Sequence, residues 1–263
     1  MTRITTIAWI VWMERLRRKD IYVLLILCGA MLFGLAGMDI LGMNKAVRYV
    51  YDVGLLLAWL FSVIITIGTS AQQIPHELSK GTIFPLLAKP VSRAELIVGK
   101  WLGAWSVSTS ATVVFYVLLG IMVGFKGGLF SVVTLFQGIL AHSAALAVIS
   151  AIAIAFSTRS TTEAAATLTA VFSTVAIMIL PQIPNMYVHE FNRLRSIGLM
   201  IIYYALPHFE LFDMRRRIIH DWGSVDWKVL LMLLFYALIY SALFLLLAWL
   251  SFRNRRFPRD KSV

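Results

Sequence analysis

Charged residues are scarce in this sequence. They make up 14% of 263 residues, whereas apolar residues make up 60% and the mean hydropathy is +0.82. A water-soluble domain carries about 25% charged residues, which keep its surface hydrated. The composition therefore excludes an ordinary soluble protein and favours one that lies largely within a membrane.

Cysteine and acidic residues are also in short supply. The single cysteine, Cys28, excludes an intrachain disulfide and any metal site built from several cysteines. The 13 acidic residues are outnumbered by 24 lysines and arginines, which gives a formal charge of +11. Because these basic residues are set among leucine, isoleucine and alanine, we expect them to lie against lipid and not against nucleic acid.

Motifs for nucleotide and zinc chemistry are missing too. The chain has no GxxxxGK[ST] phosphate loop, since Gly99-Lys100 is followed by tryptophan. His76 and Glu77 begin a near match to the zinc-protease motif HExxH, but Lys80 replaces the second histidine and an ammonium group does not bind zinc. We therefore predict no catalytic residue, no metal and no cofactor bound by this chain.

What the sequence does contain is long apolar runs without ionisable side chains. A bilayer core about 30 Å thick requires about 20 apolar residues of helix. The runs predict an all-α polytopic membrane protein with a single transmembrane domain over residues 1–263. Its six spans are predicted at residues 21–38, 53–75, 101–123, 132–157, 164–182 and 228–252, with an interfacial helix at 1–20, a loop at 76–100 and an outer segment at 183–227.

The basic residues are unevenly distributed around these spans. With six spans, 15 of the 24 lysines and arginines fall on the side that holds both termini. Cytoplasmic flanks retain basic residues during membrane insertion. We therefore expect both termini in the cytoplasm.

The N-terminal segment has the pattern of an amphipathic helix. Ile4, Ile7 and Val11 lie on one stripe of residues 4–19, and basic residues follow near its end. Such a helix lies in the headgroup plane, where anionic lipid attracts its basic residues. A simple extension of the first span accounts for the pattern equally well.

Polar side chains within the spans are mainly hydroxyls and amides at helical spacing. One stripe runs along the second span and a shorter one along the fifth, and they comprise Ser62, Thr66, Thr69, Gln73, Thr167 and Thr174. Such stripes are explained either by hydrogen bonds between helices or by the lining of a transport pathway.

His142 is the one ionisable residue deep in a span. Its position is explained either by packing against a neighbouring helix or by a functional role. A transporter with so few charges in its spans draws its free energy from outside the chain.

The loop after the second span has a recognisable sequence pattern. It reads Glu77, then Gly81-Thr82, the apolar pair Leu86-Leu87, and Lys89-Pro90-Val91-Ser92-Arg93. This loop, with the N-terminal helix, the six spans and the outer segment, resembles the permease subunits of type-2 ATP-binding-cassette exporters. The resemblance is strongest to the branch with the copper-enzyme maturation and bacitracin-resistance permeases.

The resemblance implies a transport function and a set of partners. It implies a plasma-membrane permease of a prokaryote that pairs with a second permease copy or paralogue and with an ATPase subunit, which binds ATP and Mg. It implies a pathway between the two permeases, lined mainly by the second and fifth spans. It also implies ATPase contact at a coupling helix that includes Glu77, Gly81, Thr82, Leu86, Leu87, Pro90 and Arg93. A membrane-embedded enzyme and a non-transporting scaffold or assembly factor are the alternatives.

Overall fold

The computed structural model describes residues 3–37, 45–79, 92–125, 131–184, 193–220 and 222–253, and within these ranges the chain forms helices and no strands. The α-helices are α1 (Arg3–Leu16), α2 (Lys19–Gly37), α3 (Lys45–Ala71), α4 (Pro75–Ser79), α5 (Arg93–Phe125), α6 (Val132–Ser157), α7 (Thr162–Met178), α8 (Arg193–Ala205), α9 (Arg215–His220) and α10 (Trp227–Arg253). Two 3-10 helices lie at Leu180–Gln182 and Phe209–Phe212.

Five helical segments of the described chain are long and apolar enough to cross a membrane. They are Arg48–Ser79, Arg93–Phe125, Val132–Ser157, Thr162–Gln182 and Trp227–Arg253. The first of the six predicted spans falls on α2, whose apolar part, Tyr22–Gly34, is shorter. At a rise of about 1.5 Å per residue the whole of α2 is about 28 Å long. The chain is thus a polytopic all-α protein with five candidate spans and one shorter apolar helix.

Contacts between helix ends define two faces of the bundle. At one face, Arg15 of α1 bonds to Thr69 near the end of α3, and Arg93 at the start of α5 bonds to Phe252 near the end of α10. We call this end the α1 face. At the opposite face, the Gln137 amide donates to Val225 O and accepts from Val225 N, both at 2.8 Å. The helices alternate in direction, so α1 and the end of α10 lie at the same face.

Helix α6 occupies the centre of the bundle. Within its apolar window, 78% of the residues are buried, a larger share than in the other four candidate spans. Ser131 caps its start by accepting a 3.4 Å bond from Thr134 N. Many of its buried positions are alanine or serine, and such small side chains allow neighbouring backbones to approach closely. Helices α3, α5, α7 and α10 surround it.

Helix α1 is a separate helix and not an extension of α2, because the helical conformation is interrupted at Arg17–Arg18. It packs across the first turns of α5, where Gly99 and Gly103 face it. A Cβ at Gly99 would lie 2.8 Å from Ile7 Cβ, and one at Gly103 would lie 2.6 Å from Val11 Cβ. The two glycines therefore form the groove that receives α1.

The segment before the last span forms short helices. Helix α8 has 13 residues, about 20 Å of length, which is less than the hydrocarbon thickness. It ends two residues before Pro207, which lacks the backbone N–H that would continue a helix. The Tyr236 hydroxyl accepts a 3.0 Å bond from His208 N and so ties the following turn to α10.

Candidate functional site

A cluster of charged and amide side chains joins four helices at the α1 face. Its centre is Arg15, which is only 4% exposed although it carries a permanent charge. Its guanidinium donates to Gln72 Oε1 at 3.0 Å and to Thr69 O at 3.2 Å. A buried arginine requires such partners, because desolvating an unpaired charge costs several kcal/mol.

A second arginine, Arg18 in the turn after α1, extends this cluster. Arg18 donates to the same Gln72 Oε1 at 2.9 Å, and its other terminal nitrogen lies 3.3 Å from His76 Nε2. Glu14 lies one turn back at 3.7 Å from the same guanidinium. One amide oxygen of the turn after α3 therefore accepts from two guanidinium groups, one from α1 and one from the turn that follows it. The result is a polar joint between α1, α3 and α4.

An ion pair joins α4 to α5 on the other side of this joint. The Glu77 carboxylate contacts the Lys100 ammonium, and the Lys100 side chain is only 5% exposed. Lys100 lies one residue after Gly99, within the stretch of α5 that α1 covers. The ion pair therefore joins α4 to the stretch of α5 that α1 covers. We call the six residues Arg15, Arg18, Gln72, His76, Glu77 and Lys100 the α1-face cluster.

Arg93 anchors the start of α5 to the end of α10. Its guanidinium donates to Phe252 O and Arg253 O, both at 2.7 Å, and lies 5.6 Å from the centre of the Phe252 ring. The last carbonyls of a helix have no partner within the helix and carry partial negative charge. The arginine satisfies two of them and fixes the two helix ends together.

Of the predicted coupling residues, the structure places two. Glu77 and Arg93 lie on either side of residues 80–91, and each binds a different spanning helix. The remaining five, Gly81, Thr82, Leu86, Leu87 and Pro90, lie outside the described residues. The predicted coupling segment is thus anchored to the bundle at both of its flanks.

The polar stripe of the second predicted span lies inside the bundle. Ser62, Thr66, Thr69 and Gln73 are at most 3% exposed. Each donates to a carbonyl one turn earlier on α3, at 2.7 Å for the three hydroxyls and 3.0 Å for the amide. Such bonds satisfy buried polar groups within their own helix.

His142 of α6 contacts this stripe directly. Its Nε2 lies 2.7 Å from Ser62 Oγ, and its Nδ1 lies 3.4 Å from the Tyr116 hydroxyl of α5. Ser62 in turn donates to Ala58 O at 2.7 Å, so the imidazole is linked to both α3 and α5. Trp59 stacks on the ring with centroids 6.0 Å apart. In this conformation His142 packs between neighbouring helices, one of the two roles that its sequence position allowed.

A second contact lies closer to the α1 face. Ser70 Oγ and Ser150 Oγ are 2.8 Å apart, so α3 and α6 share hydrogen bonds at two levels. We call the line from Ser62 to Gln73, with its partners on α6, the α3–α6 seam.

The polar residues of the fifth predicted span are arranged differently. Thr167 and Thr174 are exposed on α7, and Thr167 bonds only to Glu163 O on its own helix, at 2.8 Å, among the described residues. The structure therefore does not bring them onto one surface with the buried stripe of α3. The stripe faces α6, whereas the two threonines face away from the bundle.

Sequence reasoning missed most of the α1-face cluster. Arg15 and Arg18 were identified only as the basic end of an amphipathic helix, and Gln72 and Lys100 were assigned no contact. The partners of Arg15 and Arg18 lie 54 to 58 residues away, so no local spacing links them. One available signal was Gln72 and His76, which are four residues apart at the end of a span.

These features define a multi-pass membrane protein whose buried charges gather at one end of its helix bundle, beside the loop between two spans. Residues 6–257 match the family model described as ABC-2 family transporter protein. The chain belongs to this family and is the membrane-spanning permease subunit of an ABC transporter. Permeases of this family generally work with an ABC ATPase. No curated protein matches the chain.

Proposed function

We propose that the chain exports a substrate across the plasma membrane of a prokaryote, with the α1 face in the cytoplasm. The chain itself hydrolyses no ATP, and a separate ATPase subunit binds ATP and Mg. The observation that carries this proposal is the α1-face cluster, which anchors the predicted coupling loop to three helices. The excess of basic residues on the same side supports the orientation.

The ATPase docks on the coupling residues, Glu77, Gly81, Thr82, Leu86, Leu87, Pro90 and Arg93. Both flanks of this loop are fixed, by Glu77 to Lys100 on one side and by Arg93 to the end of α10 on the other. A movement of the ATPase therefore acts on α5 and α10 directly. It acts on α1 through Arg18 and His76. The cluster converts a displacement of one loop into a displacement of several spans.

A second permease copy or paralogue completes the pathway. Thr167 and Thr174, which are exposed on α7, lie on the surface available for it. Ser62, Thr66, Thr69 and Gln73 line the pathway when α3 and α6 separate along the seam. Nucleotide-driven movement of α5 beside α6 supplies the force for that separation. The branch with the copper-enzyme maturation and bacitracin-resistance permeases remains the proposed position within the family.

The docking proposal is tested by copurification. Leu86→Asp and Leu87→Asp place a charge in the apolar part of the coupling loop, and each should release the ATPase from permease purified in mild detergent. Leu211→Asp is the control, because Leu211 is exposed at the opposite face. Equal amounts of ATPase with all three variants would contradict the docking assignment. Thermal unfolding of each variant separates lost docking from lost folding.

A further inference from the structure

A cavity of about 650 Å³ opens at the opposite face of the bundle, remote from the α1-face cluster. One wall is the start of α3, with Arg48, Tyr49 and Asp52. The other wall is α9 and the residues that flank it, including Asp213 and Trp222. None of these residues belongs to the predicted coupling loop or to the α3–α6 seam.

One ion pair within the cavity is internally neutralised. Arg215 Nε lies 2.9 Å from Asp213 Oδ1, and its terminal nitrogen lies 2.7 Å from Oδ2. Burial opposes ionisation of Asp213, but these hydrogen bonds and the charges of Arg215 and Arg216 outweigh it and lower its pKa. The same carboxylate raises the pKa of Arg215. This pair lines the cavity, and its two charges neutralise each other.

Two other arginines in the cavity keep their donors available. Arg48 and Arg216 are exposed, and neither makes a hydrogen bond or ion pair to another residue in the part of the chain that the structure describes. Asp52 is the remaining acid, so the three arginines outnumber the two aspartates. The cavity carries a net positive charge and two forked donors of the kind that bind phosphate oxygens.

Exposed aromatic side chains line this cavity. Trp222 is 63% exposed and stacks on His220 with ring centroids 5.4 Å apart, while Tyr49 is 54% exposed. Exposed tryptophan and tyrosine are typical of the membrane–water interface. The first residue of the last span, Trp227, also marks that level.

An apolar cleft of about 410 Å³ lies next to the charged cavity, and Asp213 lines both. The cleft separates α9 from the first turns of α10, where Val229 and Met232 are exposed. Charged and apolar cavities that share a wall match the two parts of an amphiphile.

From these observations we propose that the charged cavity binds the phosphate ester of a membrane lipid through Arg48 and Arg216, with the lipid's apolar chain in the adjoining cleft. The aromatic rim covers the glycerol region. The Asp213–Arg215 pair holds α9 in place and leaves the other two guanidiniums for the phosphate. This inference does not depend on the proposed export function.

Binding is measured with the full chain in a phosphate-free maltoside detergent, by native mass spectrometry and by thermal unfolding. Dioctanoyl phosphatidic acid should bind and raise the unfolding midpoint, whereas dioctanoyl glycerol, which lacks the phosphate, should do neither. The double variant Arg48→Gln/Arg216→Gln should weaken binding about tenfold or more, since two charge-assisted contacts are lost. Lys228→Gln, at an exposed basic residue outside the cavity, should bind as the unaltered chain does.

Two further measurements test the source of the phosphate and the role of the guanidinium group. Inorganic phosphate at millimolar concentration should displace the lipid only weakly; binding as tight as that of the lipid would overturn the lipid assignment. Arg216→Lys keeps the positive charge but loses the paired donors of the guanidinium group, so this variant should bind the lipid with intermediate affinity. Equal affinities in the double variant and in Lys228→Gln, or binding of dioctanoyl glycerol, would overturn the site itself.

Discussion

The two ends of the bundle use arginine in opposite ways. At the α1 face, Arg15 is buried and its donors are directed to Gln72 and Thr69 of the same chain. At the opposite face, Arg48 and Arg216 are exposed around an open cavity. The same side chain stabilises the fold where partners surround it and remains available to a ligand where they do not.

Local sequence produces this difference. The arginines of the α1 face end a 14-residue helix that docks on α5, and this docking brings them to the turn after α3. Arg216 lies on α9, a helix of six residues with three consecutive arginines, which cannot all turn toward the bundle. If this contrast is correct, substitutions at the α1 face should change folding and coupling, and those at the opposite face mainly ligand binding.

The largest expected effect is at the ion pair of the α1 face. Glu77→Ala leaves the Lys100 ammonium buried without its carboxylate, and we expect a loss of about 3 kcal/mol in the free energy of unfolding. Thermal or denaturant unfolding in detergent measures it. Glu77→Gln/Lys100→Gln should recover part of the loss, because the uncompensated charge is gone. An unchanged stability of Glu77→Ala would contradict the buried pairing.

The groove on α5 gives the next largest effect. Gly103→Ala places a Cβ 2.6 Å from Val11 Cβ and 2.9 Å from Ala8 O, so α1 must shift, at a cost of about 1–3 kcal/mol. Faster proteolysis within residues 3–16 would report the displaced helix. Gly124→Ala, on the same helix with no atom within 4 Å of the added Cβ, should be neutral or slightly stabilising. Equal stability and equal proteolysis of the two variants would contradict the docking of α1 in the groove on α5.

Substitutions in the α3–α6 seam should lower stability, whereas substitutions at the exposed threonines of α7 should lower transport. His142→Leu leaves Ser62 without its 2.7 Å partner and should cost about 1–2 kcal/mol. Thr167→Val and Thr174→Val should change stability by less than about 0.5 kcal/mol, as surface substitutions do, while lowering ATP-driven transport in liposomes. Full transport by both threonine variants would exclude them from the pathway.

The smallest expected effect is a pH dependence at the opposite face. Asp213 has a folded pKa below its ordinary value of 3.8, so its stabilising contribution is present above that pH and is lost as the pH falls through the folded value. The side chain is 31% exposed, so we expect less than about 1 kcal/mol. Trp222 fluorescence measured as the pH falls below 3.8 should report it, and Asp213→Asn should lack this change. Identical profiles would show that the Asp213–Arg215 pair does not hold α9.

Hydropathy predicted the membrane-spanning, all-α character of the chain because every helix that crosses lipid must be apolar over its length. The four-residue spacing of Gly99 and Gly103 is typical of a close helix contact. It could not identify the partner because Ile7 and Val11 are about 90 residues away and belong to a helix with several apolar faces.

The candidate site was less predictable than the fold. The pattern of Ser62, Thr66, Thr69 and Gln73 showed that they share one side of a helix, but a stripe against another helix and a stripe along a pathway have the same spacing. In the structure Ser62 Oγ lies 2.7 Å from His142 Nε2 of α6, a contact between distant residues that the spacing does not reveal. The cavity around Arg48 and Arg216 was not predicted, because it forms from segments more than 160 residues apart.

The docking of α1 on Gly99 and Gly103 has a consequence for biogenesis. During synthesis at about 5–20 residues per second, the first helix is made on the order of ten seconds before its groove. Throughout that interval the groove that covers Ile7 and Val11 does not yet exist. Lipid headgroups or an insertion factor must therefore cover these two side chains. The helix that contains Ile7 and Val11 is therefore made before its groove but joins the bundle only after the third predicted span has been made.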